Sequence, residues 1–427
     1  MTNKPKTENR RPKTAPLRVA YLLLWFPEPS QTFVLDEVNT LARLGVEISV
    51  YTLYGSRPAR RLAGLAPGAA PVSHLGLGSL AKLLRDLVRL RRDRGPAAGE
   101  FLRQVLVRRW RTWETAGEAL WAALAGVHLA GVLKRAGIRH LHAPWADGPA
   151  TAAWVASHFS GIPFSFSARA YDLHPPDGAL EEKIAAATFV RTNTRANLKY
   201  LAELAPGSSA KLVNIYNGVS LAPAPRTARP EGPPFQLLAL GRLVPKKGFP
   251  VLLEACRLLL AGGLDFRLTL GGDGPERPKL QALVVQYGLQ DRVALPGFIP
   301  HREVPGWLAR SHLLVMPSVI APSGDRDGIP NVVLEALSQE VPVVASAVSG
   351  LPEVILPGET GWLAPSGDHA ALAEAMAAAL SDPAEARRRA RAGRKLVQRE
   401  FDSRRNYGLL KTWFEGADRG QGLGVRG

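Results

Sequence analysis

The sequence predicts an α/β protein built from two Rossmann-like, doubly wound domains that face each other across a cleft. Short runs of apolar residues alternate with helical patterns, which is typical of parallel sheets with crossover helices. A proline-rich segment, LAPAPRTARPEGPP at residues 221–234, divides this alternation into two halves of similar size. Glycine-rich turns follow several predicted strands, and such sheets bind their ligands at the carboxyl ends of the strands.

The first domain is predicted over residues 18–220. Its predicted strands are residues 17–24, 46–53, 138–140, 164–167 and 188–192. An amphipathic pattern at 32–44 predicts a helix, and Gly45 follows it as a C-cap glycine would. Residues 80–137 are helical and basic in pattern. The polar residues 1–17 are predicted to form a disordered basic tail.

The second domain is predicted over residues 235–400, where strands and helices alternate more clearly. Its predicted strands are residues 235–240, 266–270, 292–295, 313–316 and 341–345. Its predicted helices are residues 250–261, 275–287, 304–310, 331–338 and 370–380. The proline density of residues 221–234 permits neither a helix nor a central strand and predicts a linker. Residues 401–427 are predicted to form a C-terminal helix followed by a glycine-rich tail.

The formal net charge of the chain is +17, and the charge is concentrated in the first half. Residues 1–215 hold 29 Lys and Arg against 16 Asp and Glu, a net charge of +13. Such a field favours anionic partners, which include nucleic acid, phosphorylated lipid and acidic membrane surfaces. No RNA- or DNA-binding module is recognisable, and no stripe combines basic with aromatic residues, so nucleic acid is not an expected partner. The charge alone keeps a nucleic-acid-binding protein as a remote alternative function.

We expect the protein to be cytoplasmic. The apolar run 19–26 has eight residues and is followed by Pro-Glu-Pro rather than by a small-residue cleavage site, so it does not predict a signal peptide. The uncharged apolar stretch 119–133 is shorter than the ~18–20 residues that a spanning helix needs. The single cysteine, Cys256, excludes an intrachain disulfide and fits a reducing compartment.

The basic helical region permits two interpretations. Between Lys82 and Arg111 there are ten Lys and Arg against three acidic residues, with leucines at helical spacing among them. One interpretation is a surface helix with a solvated, charged face. The other is a basic amphipathic element that contacts anionic lipid, which would place the protein at the inner face of the plasma membrane.

The segment DRDGIPNVVLEAL, residues 325–337, carries the strongest signal for a binding site. Its proline suits the first turn of a helix, so the backbone before and within that turn is expected to face the cleft and to bind a diphosphate. The residues expected at this anion site are Gly328, Ile329, Pro330, Asn331 and Val332. Asp327 precedes the helix and Glu335 lies inside it. Two carboxylates beside an anion site suggest that they hold hydroxyl groups of a sugar and a ribose.

Two glycine-rich turns at strand ends complete the predicted anion-binding side of the cleft, which we call the donor side. The turn after strand 235–240 carries Arg242 and Lys247, which can neutralise phosphate charge. The turn after strand 266–270 can cradle a nucleotide through its backbone. Its residues are Gly272, Asp273 and Gly274, and Phe298 in the segment GFIP is placed with them.

No metal ion is expected. Asp325-Arg326-Asp327 has the D-x-D spacing of metal-binding sugar transferases, but nearby cations and the helix terminus can already neutralise a diphosphate. His140 and His142 fall on one face of a strand, yet no further metal ligand is evident. A role in the protein core, or on the side of the cleft that binds a second substrate, is therefore favoured for these histidines. We call this the acceptor side, and we place His142 on it.

Together these segments resemble glycosyltransferase family 4, whose enzymes have the GT-B fold, and particularly its bacterial branch that builds exopolysaccharide and lipid-linked polysaccharide. The matching segments include FPEPSQTFVLDEV (26–38), NIYNGV (214–219), GRLVPKKGF (241–249), GGDGP (271–275), GFIPHREV (297–304), DRDGIPNVVLEAL (325–337) and PVVASAVSGLPEVILPGETGWL (342–363). A longer segment at 140–172 also matches. Their order and number make the resemblance specific.

The resemblance implies retaining transfer of a sugar from a nucleotide diphosphate sugar, UDP- or GDP-linked, to a glycan or lipid-linked acceptor. The nucleotide sugar is then a co-substrate, and neither a cofactor nor a metal is implied. Arg242 and Lys247 match the diphosphate-binding pair, and Asp327 and Glu335 match the E-x7-E carboxylates that hold the donor sugar and ribose. The acceptor-side loop corresponds to Ser30, Gln31, Thr32 and Phe33. The last helix is expected to return to the first domain.

Three residues depart from the family pattern. Asp327 replaces a glutamate at preserved spacing, and Gln31 stands where glutamate is common. Arg169 replaces a histidine that lies near the reacting sugar in many members. Arginine remains protonated and cannot serve as a general base, but it can stabilise a departing phosphate or hold a sugar hydroxyl. Arg169 therefore also motivates an alternative function, a non-catalytic scaffold at the membrane.

Overall fold

The computed structural model describes residues 16–28, 31–56, 68, 70–108, 110, 112–170, 172–174, 176, 178–220 and 232–419. It contains two parallel sheets with helices packed on both faces of each. Alternate residues of a strand enter different hydrophobic clusters: Ala20 and Leu22 pack on one face of the first sheet, and Val19, Tyr21 and Leu23 on the other. The predicted α/β fold class is confirmed.

The first sheet has seven strands in the order β3-β2-β1-β4-β5-β6-β7. The strands are β1 (Arg18–Leu23), β2 (Glu47–Thr52), β3 (Val72–His74), β4 (His140–Ala143), β5 (Phe164–Ala168), β6 (Phe189–Thr192) and β7 (Leu212–Asn214). The helices are α1 (Thr32–Arg43), α2 (Leu80–Arg94), α3 (Pro96–Leu106), α4 (Trp113–Arg135), α5 (Gly148–Ser160), α6 (Leu180–Ala186) and α7 (Arg195–Leu204).

The second sheet has six strands in the order β10-β9-β8-β11-β12-β13. The strands are β8 (Phe235–Leu240), β9 (Phe266–Gly271), β10 (Val293–Gly297), β11 (Leu313–Met316), β12 (Val343–Ser346) and β13 (Trp362–Ala364). The helices are α8 (Phe249–Ala261), α9 (Arg277–Gln286), α10 (Val304–Arg310), α11 (Asn331–Ser338), α12 (His369–Ser381) and α13 (Pro383–Glu400). The strand order reverses between β1 and β4 in the first sheet and between β8 and β11 in the second, and ligands bind at such points.

Several predicted boundaries change. The basic helical region 80–137 is three helices, α2 to α4: α2 ends at Arg94, α3 begins at Pro96 and ends at Leu106, and α4 begins at Trp113. The strand predicted at 138–140 begins at His140 and continues to Ala143. The short strands β3, β7 and β13, with three residues each, were not predicted from the sequence. The tail 1–15, linker residues 221–231 and the last residues 420–427 lie outside the described part of the chain.

Helix α4 is long and apolar enough to cross a membrane by length and composition, and half of its most apolar window is buried inside the protein. It packs closely on α5, since a Cβ atom built at Gly126 would lie 2.7 Å from the Ala152 carbonyl oxygen. The Trp121 indole donates a hydrogen bond to the Leu53 carbonyl oxygen. These contacts are those of a helix that covers the first sheet.

A last helix, α14 (Ser403–Asp418), follows the second domain and packs against the first. Phe414 is fully buried, and its ring contacts those of Tyr21, His142 and Phe189 with centroid separations of 5.2–6.5 Å. The Lys411 ammonium donates to the Leu44 carbonyl oxygen at 2.8 Å. The chain therefore crosses between the domains a second time.

Replacement of Phe414 tests this packing. Phe414→Ala is expected to lower the free energy of unfolding by about 3–5 kcal/mol, because it leaves a cavity between α14 and the first sheet. Leu409 lies on the same helix and is 48% exposed, so Leu409→Ala is expected to cost less than about 0.5 kcal/mol. Urea unfolding followed by circular dichroism measures both changes. Equal losses for the two variants would contradict the described packing of α14.

Candidate active site

A cleft of about 410 Å³ lies between the two domains, at the carboxyl ends of both sheets. The first domain contributes Thr32, Phe33, Trp145, Arg169, Ala170, Asn193 and Asn217 to its wall. The charged residues from the second domain are Arg242, Lys246, Lys247, Asp273, Arg326, Asp327 and Glu335, and His301 lies among them. Residues far apart in sequence thus meet because the strand ends and the first turns of several helices of both domains face the same cleft.

Asp327 is a buried carboxylate held by an ammonium group. Its Oδ2 lies 2.8 Å from Lys247 Nζ and accepts a hydrogen bond from the Ser318 hydroxyl at 2.9 Å. Burial acts to raise the pKa of the Asp327 carboxyl, but Lys247 and Lys246 hold the pKa below its ordinary value. Asp327 is therefore ionised, and it fixes the position of Lys247 on the cleft wall.

Lys246 was not predicted as a site residue, although it precedes the predicted Lys247. Its Nζ lies 3.0 Å from Asp325 and 3.9 Å from Asp327, so this lysine sits between the two carboxylates of the D-x-D segment. Within the described residues, no group of three or more His, Cys, Asp or Glu side chains is placed to hold a metal ion. The sequence feature that could have indicated Lys246 is the pair of adjacent lysines. The pair does not indicate which lysine side chain faces which carboxylate.

The segment before α11 lies on the wall as the sequence suggested. Residues 328–332 all line the cleft, and α11 begins at Asn331 with Pro330 before it. The Val333 amide already donates to the Pro330 carbonyl oxygen. The amides of Asn331 and Val332 have no partner within the helix, as expected in a first turn, and such amides are suited to an anion.

Glu335 lies one turn further along α11 and faces the same cleft. Its Oε1 is 3.1 Å from His301 Nε2, and the pair is partly exposed. The hydrogen bond to Glu335 raises the pKa of His301 above its ordinary value of 6.5, although burial opposes the shift. His301 was not predicted as a site residue. The sequence feature that could have indicated His301 is its position in GFIPHREV, four residues after the strand end at Gly297.

The two glycine-rich turns approach each other closely at the base of the cleft. Gly272 has φ of 142°, and a Cβ atom there would lie 1.8 Å from the Gly241 carbonyl oxygen, so the contact requires glycine. Asp273 lies on the wall, and its Oδ1 accepts a hydrogen bond from the Gly274 amide. Gly274 itself is not on the wall but packs on Leu243, which corrects its predicted placement.

Two exposed side chains of the second domain complete the predicted donor side. Arg242 is exposed on the cleft wall directly after the β8 turn. Phe298 also lines the cleft and is 64% exposed. An exposed aromatic ring and an exposed guanidinium beside an anion site can contact a base, a sugar or a phosphate.

Arg169 lies at the end of β5, buried in the first-domain wall. Its Nε donates to the Pro144 carbonyl oxygen at 3.2 Å, and its Nη1 donates to Asn217 Oδ1 at 2.5 Å. The Phe33 ring centroid lies 4.5 Å from the guanidinium carbon. Burial and the nearby Arg191 lower the pKa of Arg169 from its ordinary value.

Glu37 and Arg191 form a buried pair behind Arg169 that the sequence did not identify. Glu37 accepts hydrogen bonds from Arg191 Nη1 at 2.5 Å and from the Tyr21 hydroxyl at 3.0 Å, and its Oε2 lies 3.5 Å from Arg169 Nη2. One carboxylate therefore faces two guanidinium groups. The sequence feature that could have indicated this pair is Arg191 itself, because a charged residue is unusual inside a strand that is fully buried.

The acceptor-side loop is partly described. Ser30 lies outside the described residues. Thr32 and Phe33 line the cleft at the start of α1. Gln31 is not on the wall; its Oε1 accepts a hydrogen bond from the Trp145 indole at 3.3 Å. The predicted loop thus contributes two wall residues and one residue that orients Trp145.

His142 does not face the cleft, which corrects its predicted acceptor-side placement. It is fully buried, and its ring nitrogens are 2.9 Å and 3.1 Å from the hydroxyls of Ser165 and Ser167. Burial lowers the pKa of His142 well below 6.5 and that of His140 to about 3, so both rings are neutral. The alternation along β4 points these rings toward α14 and Phe414.

Comparison with known proteins finds a family match that lies mostly on the second domain. Residues 225–396 match the family model described as glycosyl transferases group 1. WcaL of Salmonella typhimurium, named for a glycosyltransferase of colanic acid biosynthesis, is 40% identical over 152 residues, which are 36% of this chain and 37% of WcaL. The amylovoran biosynthesis glycosyltransferase AmsK of Erwinia amylovora is 37% identical over 182 residues, which are 43% of this chain and 45% of AmsK.

The predicted resemblance to bacterial exopolysaccharide glycosyltransferases is confirmed, over less than half of the length of these relatives. The fold is similar over nearly the whole chain. A crystal structure of Anabaena HepE in complex with UDP-glucose matches with a TM-score of 0.65 at 17% identity, covering 93% of this chain and 100% of that one. The predicted GT-B fold is confirmed.

The pairing of Glu335 with His301 has a measurable consequence for pH. Glu335→Gln is expected to lower the pKa of His301, because the hydrogen bond to a carboxylate raises it and burial opposes it. A folded-state pKa above 6.5 means that this pair stabilises the fold at low pH and that the contribution is lost as pH rises through the raised pKa. An NMR titration of the His301 ring measures the shift.

The neighbouring carboxylate supplies a control for that titration. Glu303 is exposed and lies near Arg302 rather than His301, so Glu303→Gln is expected to leave the His301 titration unchanged. If Glu335→Gln leaves the His301 pKa where it is in the unchanged protein, the described pair does not form in solution.

Proposed function

We propose that this protein is a glycosyltransferase that moves a sugar from a nucleotide diphosphate sugar to a hydroxyl group of a polysaccharide or lipid-linked acceptor. The observation that carries the proposal is the composition of the cleft. A helix start and four cations, Arg242, Lys246, Lys247 and Arg326, lie on the second-domain wall, and an arginine with uncharged polar side chains lies on the facing wall. We place the reaction in the synthesis of exopolysaccharide or another cell-surface glycan, in line with WcaL and AmsK.

The helix start and the cations suit the diphosphate of a donor. The unpaired amides of Asn331 and Val332 offer hydrogen bonds to phosphate oxygens, and the helix dipole adds a favourable field. Lys247 is held in place by Asp327, so its ammonium needs little reorganisation when charge develops on a leaving phosphate. Arg242 provides an exposed guanidinium that can bind two phosphate oxygens at once.

Glu335 suits a hydroxyl group of the donor. One of its oxygens is bonded to His301, and the side chain remains partly exposed to the cleft. A carboxylate that accepts from a sugar hydroxyl forms a strong, charge-assisted hydrogen bond. Asp327 is already engaged by Lys247 and Ser318, so we assign it to the positioning of Lys247.

The proposed reaction forms a bond between the acceptor oxygen and the anomeric carbon while the bond from that carbon to the diphosphate oxygen breaks. Arg169 cannot accept the proton of the acceptor hydroxyl. The three carboxylates on the second-domain wall, Asp273, Asp327 and Glu335, each have a partner. The departing diphosphate oxygen is therefore the base we assign to that proton. The acceptor then approaches the anomeric carbon from the face that the diphosphate leaves, which agrees with retention of the anomeric configuration. We infer retention from the family resemblance.

Cations of the chain take the part that a metal plays in other sugar transferases, so we propose a reaction that needs neither a metal nor a cofactor besides the nucleotide sugar. Two domains around a cleft also allow closure that keeps water from the donor. The HepE crystal structure is a complex with UDP-glucose, which supports a UDP-linked donor as the first to be tried.

A thermal-shift screen tests donor binding. One class among UDP-, GDP-, ADP- and TDP-linked sugars at millimolar concentration is expected to raise the melting temperature. Arg242→Ala is expected to weaken that binding by about 10- to 100-fold, because a hydrogen bond to a charged group is worth about 1.5–3 kcal/mol. Arg387, exposed on α13 in the same domain, gives the matched control Arg387→Ala, which is expected to bind like the unchanged protein.

Two results separate the alternatives. If no nucleotide sugar and no free UDP or GDP stabilises the protein, the proposed function is wrong. If a donor binds but nucleoside diphosphate is never released in the presence of cell-surface glycan acceptors, the non-catalytic scaffold is the better account.

We also propose that the first domain docks on an anionic membrane at the cytoplasmic face. Leu80, Leu84 and Val88 follow each other at four-residue steps on α2 and are 43–68% exposed. Five basic residues of the same helix are exposed, Lys82, Arg85, Arg89, Arg91 and Arg92, and Arg92 continues the four-residue row after Val88. An exposed apolar stripe bordered by cations fits the interface of an anionic bilayer.

Vesicle flotation tests this surface. The protein is expected to float with vesicles that contain phosphatidylglycerol and not with pure phosphatidylcholine, and less so at high salt. Leu84→Glu and Val88→Glu are expected to reduce binding about tenfold or more, since each removes buried apolar area. Val285→Glu changes a residue that is 62% exposed on α9 in the second domain and serves as the control. Equal losses in all three variants would overturn the proposed surface.

A further inference from the structure

Two polar atoms in the first-domain wall have no hydrogen-bond partner in the described part of the chain. They are Arg169 Nη2, a donor, and Asn193 Oδ1, an acceptor. Both residues are more than nine-tenths buried, and both line the cleft. A buried polar group without a partner destabilises the fold, and does so more strongly when it is charged. Two such atoms on one wall are best explained by a ligand that supplies a partner to each.

The rest of each side chain is held in place. Two of the three guanidinium nitrogens of Arg169 are bonded, to Pro144 and Asn217, which leaves Nη2 as the available donor. Glu37 lies 3.5 Å from Nη2 but directs its hydrogen bonds to Arg191 and Tyr21. The guanidinium is therefore pre-oriented, and its charge is only partly compensated.

The Phe33 ring separates the guanidinium from part of the cleft. Its centroid lies 4.5 Å from Arg169 Cζ, and Phe33 is itself on the wall at the first turn of α1. The Trp145 ring centroid lies 5.5 Å from the same carbon, and Nη2 itself is buried. A group that enters the cleft therefore reaches Nη2 when the half-buried Phe33 ring moves aside.

Asn193 lies against the anion-binding segment of the other domain. A Cβ atom built at Gly328 would be 3.5 Å from Asn193 Nδ2 and 3.8 Å from Asn193 Oδ1. Asn193 Oδ1 thus belongs to the part of the cleft where both domains meet, and Arg169 lines the same cleft. A sugar bound there touches the first-domain wall on one side and the diphosphate site on the other.

The chemistry of the two atoms defines the ligand. A guanidinium N–H with incompletely compensated charge prefers a carboxylate or phosphate oxygen, and an amide oxygen requires a hydroxyl or N–H donor. A sugar that carries a carboxylate beside a hydroxyl supplies both partners. The diphosphate of the donor is assigned to the second-domain wall, so a neutral sugar brings no anion to Arg169, and a further phosphate brings no hydrogen-bond donor to Asn193.

On this basis, and resting on the proposed transferase function, we propose that Arg169 and Asn193 form a subsite for a carboxylated sugar, a uronic acid residue. Arg169 Nη2 donates to the carboxylate, and Asn193 Oδ1 accepts from the neighbouring hydroxyl. The uronic acid belongs either to the donor or to the end of the acceptor glycan, and both sources offer the same chemistry to these atoms.

Isothermal titration calorimetry of the full chain tests the subsite in two arms. The donor arm compares UDP-glucuronate with UDP-glucose, and GDP-mannuronate with GDP-mannose. The acceptor arm compares p-nitrophenyl β-glucuronide with p-nitrophenyl β-glucoside in the presence of saturating UDP or GDP. We expect at least a tenfold preference for the carboxylated sugar in one arm, and that arm identifies the source.

Variants connect the preference to the two atoms. Arg169→Gln is expected to reduce the preference to less than about threefold, and the affinity for UDP or GDP alone is measured beside it. Asn193→Asp keeps the shape of the side chain and places a carboxylate beside the bound one, so it is expected to weaken the uronate more than the neutral sugar. This second variant decides the matter if Arg169→Gln does not fold. Arg195→Gln removes an exposed charge from the same domain and is expected to retain the preference.

The outcomes of the two proposals can be told apart. Binding of UDP or GDP with equal affinity for carboxylated and neutral sugars in both arms overturns the subsite and leaves the proposed transferase function intact. Failure of every nucleotide to bind overturns the proposed function itself. A preference that survives both Arg169→Gln and Asn193→Asp also overturns the subsite, because the selectivity then has another origin.

Discussion

The first-domain wall depends on one buried carboxylate, Glu37. It joins α1 to β1 through the Tyr21 hydroxyl and to β6 through Arg191, and it lies beside Arg169 at the end of β5. Two guanidinium groups can lie next to each other in the domain interior because this carboxylate lies between them. Removal of one member of such a buried set leaves an uncompensated charge, which costs far more than an exposed ion pair. The position of Arg169 in the cleft follows from this arrangement.

The second constraint is the junction between the domains. Glu353 of the second domain accepts hydrogen bonds from the Arg195 and Ala196 amides at the start of α7, and from the Tyr216 hydroxyl. A carboxylate at a helix start is stabilised by the unpaired amides and by the helix dipole. Together with α14, which packs on the first sheet, this contact sets how closely the two walls of the cleft approach.

The two walls carry different kinds of charge. On the second-domain wall, Lys247 pairs with Asp327, and the helix start and Arg242 remain open to an anion. On the first-domain wall, a single guanidinium lies among aromatic rings and amides. Such a division is suited to a substrate with a diphosphate at one end and a sugar at the other, because each wall is complementary to one part.

The α/β class, the two domains and the motifs around Asp327, Glu335 and Arg242 followed from the sequence, because hydrophobic alternation, proline density and glycine turns are local properties. The sequence also placed residues 328–332 at a helix start. Charge partners were not predictable in this way. Four residues have roles that depend on partners 34 to 154 positions away in the chain: Lys246, His301, Glu37 and Arg191. For Lys246 the role also depends on which way its side chain and that of the adjacent Lys247 point. His142 does not lie at the predicted site, because strand alternation alone does not say which face of β4 packs against α14. The tertiary structure decides that packing, which buries the two histidines of β4. Arg169 and Asn193 lie on the cleft wall instead.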